Sequence, residues 1–400
     1  MLDVLELKEL DYLFKYRYRP IHAASEQAFR ALAGILPVSE GKPIEKPIRR
    51  ILIIKFGGMG EAILARSLVE HLRSRNPGMT FNYLVEARTL EAMTCGSQDN
   101  ALVYHPRTDG VTRAIAILRE IRSHKYDAVI DFEQCSLLTA SFARATSIPV
   151  RIGFVPPGPG PRNRLFTHSV PLREEESMWS CFLQIGRLLD PTLPEKLQTV
   201  PLPCSSEARE RRDQWWGANF GDHAGPVVAL HLGVGPSAQY RRWPVERFAE
   251  LATRLLQKNF AVLLTGAKSE QRLNSAFKNT FRGKSVEASE LGTLEYTAAL
   301  LQRCDLLVSN DTGVMHLAAA MGTPTVGLFG ASNPIWWAPV GPHATYLYKT
   351  RQPCSPCINS YPRQIPQSCT ASIDGACMRD ISVEDVLEAV RTVVQGDWLA

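Results

Sequence analysis

The chain has 400 residues, and at about 100–200 residues per domain that length predicts two packed domains and excludes a single small module. Hydrophobic residues make up 45% and charged residues 21% of it, which excludes wholesale disorder and a fibrous repeat. The 45 basic side chains against 40 acidic ones leave +5, too dilute over this length to mark a nucleic-acid stripe, and no nucleic-acid partner is expected.

No run approaches about 18 uninterrupted apolar residues, and residues 1–20 carry charges throughout, so neither a spanning helix nor a signal peptide is expected and the chain reads as cytoplasmic. In residues 1–50 the spacing of Leu2, Leu5, Leu7, Leu10 and Leu13, then of Ala28, Leu32 and Ile35, predicts two helices followed by a linker. Their aromatic and basic run (Tyr12, Phe14, Lys15, Tyr16, Arg17, Tyr18, Arg19) suits a membrane-surface or partner-docking element, and equally a helical clasp on the main body.

From Arg50 strands and helices alternate: strands Ile51–Lys55, Phe81–Val85 and Ala128–Phe132, with helices over 61–75 and 111–123. A Pro/Gly-rich loop at 155–163 reads as the mobile edge of a cleft. Pro191, Pro194, Pro201 and Pro203 then precede a charged helix beginning at Ser206, which sets the domain boundary between 205 and 206. The second half restarts the pattern with strands Val227–Leu232, Ala261–Thr265, Asp305–Ser309 and Pro324–Phe329, and an amphipathic helix from Ser382 closes the chain over 382–400. The expectation is α/β: two Rossmann-like αβα domains, 51–205 and 206–381, facing across a cleft lined by loops 56–61, 233–242, 266–270 and 310–316.

Between the first strand and its helix lies Phe56-Gly57-Gly58-Met59-Gly60-Glu61. Glycines there let a ligand approach the backbone. A dinucleotide fingerprint would need glycine at 63, which is Ile63; Glu86 would then serve as its ribose acid. A carboxylate at a helix N-terminus is stabilised as the anion, which makes Glu61 a candidate proton acceptor, against the plainer reading that it favours a first helical turn. In Asn310-Asp311-Thr312-Gly313-Val314-Met315-His316, the Thr312 hydroxyl and the amides of Thr312 and Gly313 suit a diphosphate at a helix start, with His316 one turn on. A capped helix with a satisfied histidine is the alternative. After the next glycine turn, Ser237, Arg241 and Arg242 are phosphate-friendly, and Glu270 follows another strand where it could take ribose hydroxyls.

Nine cysteines are present. Cys95, Cys135, Cys181, Cys204 and Cys304 fall in core-like segments and read as buried thiols. Cys354, Cys357, Cys369 and Cys377 have a spacing that suits a structural zinc or iron ion, against reduced thiols packed in a loop.

With these motifs in view, residues 50–394 resemble glycosyltransferase family 9, the ADP-heptose:lipopolysaccharide heptosyltransferases. The resemblance rests on Lys55–Glu61 (KFGGMGE), His231–Leu251, Thr265–Glu270 (TGAKSE), Asn310–Gly330 (NDTGVMHLAAAMGTPTVGLFG) and the cysteine cluster. It implies a GT-B architecture, acceptor bound mainly by the first domain and ADP-sugar by the second, with inversion and no catalytic cofactor. Carried over, Glu61 stands where the family has an aspartate base, and Arg241 where it has a lysine on the donor phosphate. Ser237 replaces a phosphate-binding threonine, Glu270 matches a ribose-contacting acid, and Asp311, Thr312, Gly313 and His316 match the diphosphate and heptose site. Gly57, Gly58, Gly60, Arg242 and Asn310 complete the expected substrate-binding set. The implied function is inverting transfer of a heptose or similar sugar to a lipopolysaccharide core or other surface glycan. A glycan or lipid-linked acceptor implies contact with the inner face of the cytoplasmic membrane; oligomerisation is left open. The alternatives are a GT-B nucleotide-sugar-binding protein without turnover and, more remotely, an NAD-dependent oxidoreductase.

Overall fold

The computed structural model describes residues 43–44, 46–106, 108–158, 160–235, 239–288, 292–358, 366 and 368–394. The helices expected within residues 1–42, and Ser237, lie outside the described residues. The chain divides into two compact units, the first running to Leu197 and the second starting at Gln198.

The first unit is a six-stranded parallel sheet in the order β3-β2-β1-β4-β5-β6. Its strands are β1 (Arg50–Lys55), β2 (Thr80–Val85), β3 (Ala101–Val103), β4 (Ala128–Asp131), β5 (Val150–Val155) and β6 (His168–Pro171). Ile51, Leu52, Ile53 and Ile54 of β1 are fully buried, the apolar run expected of a central strand covered on both faces. β1 pairs in parallel with β2 and with β4, Ile53 standing opposite Tyr83 and Ile130. The first crossover helix, Met59–Arg75, packs on helix Met178–Leu189 through Leu68. A Cβ at Gly186 of the second helix would lie 2.6 Å from Leu68 Cδ1, so the helices approach only because that residue is glycine.

The second unit has six parallel strands in the order β12-β11-β10-β7-β8-β9: β7 (Val227–His231), β8 (Ala261–Thr265), β9 (Ser285–Glu287), β10 (Leu306–Asn310), β11 (Thr325–Phe329) and β12 (Ala344–Tyr348). Read from β9, this repeats the winding of the first sheet. Both are doubly wound Rossmann-type sheets whose strand order reverses at one crevice, between β1 and β4 in the first and between β7 and β10 in the second. The second core includes Trp243, Phe248, Phe260 and Phe277. Helix Val383–Val393 is fixed at its start by a reciprocal pair: Ser382 Oγ accepts from Asp385 N at 3.1 Å, and Asp385 Oδ2 from Ser382 N at 2.9 Å. No helix among the described residues is long and apolar enough to cross a membrane.

Three sequence expectations change. The edge strands β3, β6, β9 and β12 have no counterpart in the sequence reading, because they are short or only half-buried. The Pro/Gly-rich loop at 155–163 leads into a short turn, Pro161–Arg164, whose Arg162 is buried. Of the five cysteines expected in cores, Cys181 and Cys304 are buried, whereas Cys95, Cys135 and Cys204 are half-buried.

Candidate functional site

In the first unit the groups with chemical potential collect at the reversal point, in the loops that leave β1 and β4. Lys55, the last residue of β1, is fully buried, and its ammonium lies 2.6 Å from Glu61 Oε2 and 2.5 Å from Glu133 Oε1. Burial alone would depress a lysine; Glu133 and then Glu61 outweigh it and hold Lys55 above its ordinary range. Glu133 Oε1 also accepts the amides of Phe56 at 3.0 Å and Gly57 at 2.8 Å, so the first-strand turn is stitched to the loop after β4. Gln134 Nε2 donates to Glu61 Oε2 at 3.1 Å.

The glycines follow from this packing. A Cβ at Gly57 would meet Glu133 Oε2 at 3.0 Å; Gly58 has φ +58° and a Cβ there would press on the Glu61 carboxyl at 2.9 Å. Gly60 is buried in the first turn of the helix. Beneath the cluster, Arg162 donates to Asp131 Oδ2 at 3.2 Å, Glu133 O at 2.7 Å and Phe154 O at 3.0 Å. Burial pushes Asp131 up to about 6, with Arg162 working against it. Glu86, the acid a dinucleotide site would need, is paired with Arg88 at 2.6 Å.

The sequence reading singled out Glu61 and the glycines but missed Glu133, Gln134 and the role of Lys55. The available signal was position: Glu133 and Gln134 follow a fully buried central strand, Ala128–Asp131, at the place where open α/β sheets bind ligands.

The second unit gathers its groups after β7, β8 and β10. Arg241 reaches Asp311 Oδ2 through Nη1 at 3.3 Å and donates from Nη2 to Val234 O at 3.0 Å. Arg242 is half-buried and lowered by that burial, with Glu270 and Asp374 opposing. Glu270 Oε2 accepts Ala267 N at 2.9 Å, and the carboxyl lies over Gly233, where a Cβ would fall 1.5 Å from Oε1. His231, buried at the end of β7, shares a hydrogen bond of 3.0 Å with Thr265 Oγ1; burial lowers its pKa.

Asn310 accepts Trp243 N at 2.9 Å and donates to Leu232 O at 2.9 Å, so its amide braces the strand ends. Thr312 occupies the position before helix Gly313–Ala320 but makes no side-chain cap to it; its hydroxyl instead stands 3.3 Å from Ser309 Oγ. The helix start therefore carries amides that Thr312 does not cover. His316, one turn along, is buried.

The four C-terminal cysteines converge in the second unit. Burial, then Cys357, Cys369 and Cys354, push Cys377 up to about 12, and burial with Cys354 and Cys369 raises Cys357. Among the described residues no group of three or more His, Cys, Asp or Glu side chains is placed to hold a metal ion.

Two doubly wound parallel sheets of this order make a glycosyltransferase fold of the GT-B type. Similar solved structures include a glycosyl transferase family 9 structure from Veillonella parvula (TM-score 0.69, 22% identity, covering 88% of this chain and 98% of that one) and Escherichia coli ADP-heptose lps heptosyltransferase II (TM-score 0.66, 20% identity, 86% and 98%). Residues 114–364 match the sequence profile of glycosyltransferase family 9 (heptosyltransferase), and the chain belongs to that family. It is a glycosyltransferase. Similar sequences include the lipopolysaccharide core heptosyltransferase OpsX of Haemophilus influenzae, 22% identical over 302 residues (73% of this chain, 82% of that protein). Lipopolysaccharide heptosyltransferase 2 of Escherichia coli is 24% identical over 319 residues (74% and 87%).

Proposed function

We propose that the chain transfers a heptose from ADP-heptose to a hydroxyl of a lipopolysaccharide core, with inversion at the anomeric carbon. Its relatives' names carry this substrate class. The observation that carries the chemistry is the Glu61 carboxylate, anchored through Oε2 by Lys55 and Gln134 at the mouth of a glycine turn.

Glu61 takes the proton of the acceptor hydroxyl as that oxygen attacks the anomeric carbon, and the bond from that carbon to the diphosphate breaks, releasing ADP. Negative charge grows on the departing diphosphate. Arg241 and the amides at the start of helix Gly313–Ala320 are preorganised donors for it, and Glu270 takes the ribose hydroxyls. Arg242 and His316 border the same loops, and Ser237 is assigned to the phosphate from the family pattern alone. Domain roles follow: acceptor on the first unit, nucleotide on the second. A lipid-linked acceptor places the work at the inner face of the cytoplasmic membrane.

The four cysteines would supply thiolate ligands to a structural zinc or iron. Thiols that raise one another's pKa are a cluster that a bound cation would relieve. Such an ion would close the loop between Cys354 and Cys377 and take no part in transfer.

The test is turnover of ADP-heptose with a lipopolysaccharide core acceptor, read as ADP release. Glu61→Gln is expected to lower kcat by at least about a hundredfold and Arg241→Ala by about a hundredfold. Unchanged rates in both overturn the assignment.

A further inference from the structure

We propose that Glu133 is a positioning residue that keeps Glu61 basic by sharing Lys55 with it. The inference rests on the reading of Glu61 as proton acceptor.

A base held 2.6 Å from an ammonium is a poor base unless something else satisfies that cation. With Glu61 as its only partner, Lys55 would form a neutral pair, and a proton arriving on Glu61 would strand a fully buried lysinium. The second carboxylate changes that count. Lys55, Glu61 and Glu133 together carry one negative charge at rest and none once Glu61 is protonated, so the buried cation keeps a partner through the whole step.

The two acids are placed for different work. Glu133 has a side chain only 4% exposed and is fixed by Lys55 and two backbone amides; the Glu61 side chain is 20% exposed and can meet a substrate. The surrounding charges leave this division intact. Arg162, from the turn before β6, pairs with Asp131 of β4 and donates to the Glu133 backbone carbonyl. Asp131 adds a negative neighbour to Glu133. Arg88, from the helix after β2, pairs with Glu86 and donates to Phe56 O. Gln134, facing Glu61, is neutral. Lys55 is thus the cation both carboxylates contact directly, and its upward displacement against burial is what two anionic partners produce.

The experiment is the pH profile of kcat/KM for ADP-heptose and a core acceptor in wild type, Glu133→Gln and Glu133→Asp, each first checked for fold by circular dichroism. Glu133→Gln concentrates Lys55 on Glu61. Its acid limb is expected to move to lower pH by about one unit, with a plateau several-fold lower. Glu133→Asp keeps the charge, so its limb stays within about 0.3 unit of wild type while kcat falls. A Glu133→Gln enzyme that loses rate with its limb in place overturns the proposal, as does a Glu133→Asp limb displaced downward. Should Glu133→Gln not fold, the aspartate variant decides: a limb displaced downward overturns the proposal, and a limb in place with lowered kcat supports it. Glu61→Gln separates the two readings: if it retains full rate, Glu61 is not the base, whereas an inactive Glu61→Gln beside an unshifted Glu133→Gln limb removes only the role of Glu133.

Discussion

Replacing Gly233 with alanine places a methyl 1.5 Å from Glu270 Oε1 and 2.2 Å from its Cδ. No adjustment of a few tenths of an ångström accommodates that contact. The neighbour is the end of a flexible side chain, so Glu270 is expected to swing away rather than the strand to move, giving up its 2.9 Å bond from Ala267 N. That bond is at an exposed position, and its loss costs about 1 kcal/mol of stability. The larger effect falls on ligand binding. A carboxylate that accepts ribose hydroxyls contributes about 1.5–3 kcal/mol, so ADP is expected to bind roughly 10 to 100-fold more weakly. Calorimetric titration of ADP measures this directly in Gly233→Ala, Glu270→Ala and the double variant. With Glu270 truncated there is nothing left for the new methyl to displace, so the double variant is expected to bind like Glu270→Ala alone. Wild-type affinity in Gly233→Ala, or additive losses in the double variant, would refute the reasoning.

Asn310→Ala strips partners from Trp243 N and Leu232 O, both buried, and is expected to destabilise the second unit by about 2–5 kcal/mol. Scanning calorimetry then shows a transition lowered by roughly 5–10 °C, and a shift under 2 °C counts against the bracing role. Asp131 is raised by burial from its ordinary 3.8 to about 6, so between those values the folded chain holds a proton that the unfolded chain releases. Its contribution to stability is therefore lost as pH rises through that window, by roughly 2–3 kcal/mol. Urea midpoints of wild type and Asp131→Asn across pH 4–7 test this, and a slope unchanged by the substitution contradicts it. Elemental analysis of the isolated protein is expected to find about one zinc or iron per chain, lost in Cys357→Ser together with several degrees of thermal stability; a metal-free wild type of equal stability removes the structural ion.

The central strands were legible because burial on both faces forces an apolar run: β1, β7, β10 and β11 each read directly from sequence. β5 escaped notice because Arg151 interrupts it, and only the structure shows the guanidinium satisfied by Leu165 O and Ile148 O at 3.0 and 2.8 Å. Site residues divided in the same way. Glu61 and Thr312 sit at strand-to-helix turns, where local spacing carries the signal. The partnership of Gly57 with Glu133 spans 76 positions, and that of Gly233 with Glu270 joins the exits of two different strands. Neither leaves a local pattern. A glycine required by a close approach looks like any turn glycine until its neighbour across the sheet is known.

The two sheets share a winding, so topology alone does not say which crevice takes a nucleotide. The proposed division rests on charge. At the end of β1 one buried cation, Lys55, faces two carboxylates. A diphosphate arriving there would add anion to an excess of anion in a poorly solvated turn. At the ends of β7 and β10, Arg241 and Arg242 stand among Asp311, Glu270 and Asp374, and the helix start adds uncharged donors. Two guanidinium groups and amides that supply partial positive charge without a counter-ion of their own favour an anion there. On the function proposed above, the side chains that follow the central strands are what would make one copy of this framework proton-accepting and the other anion-accepting.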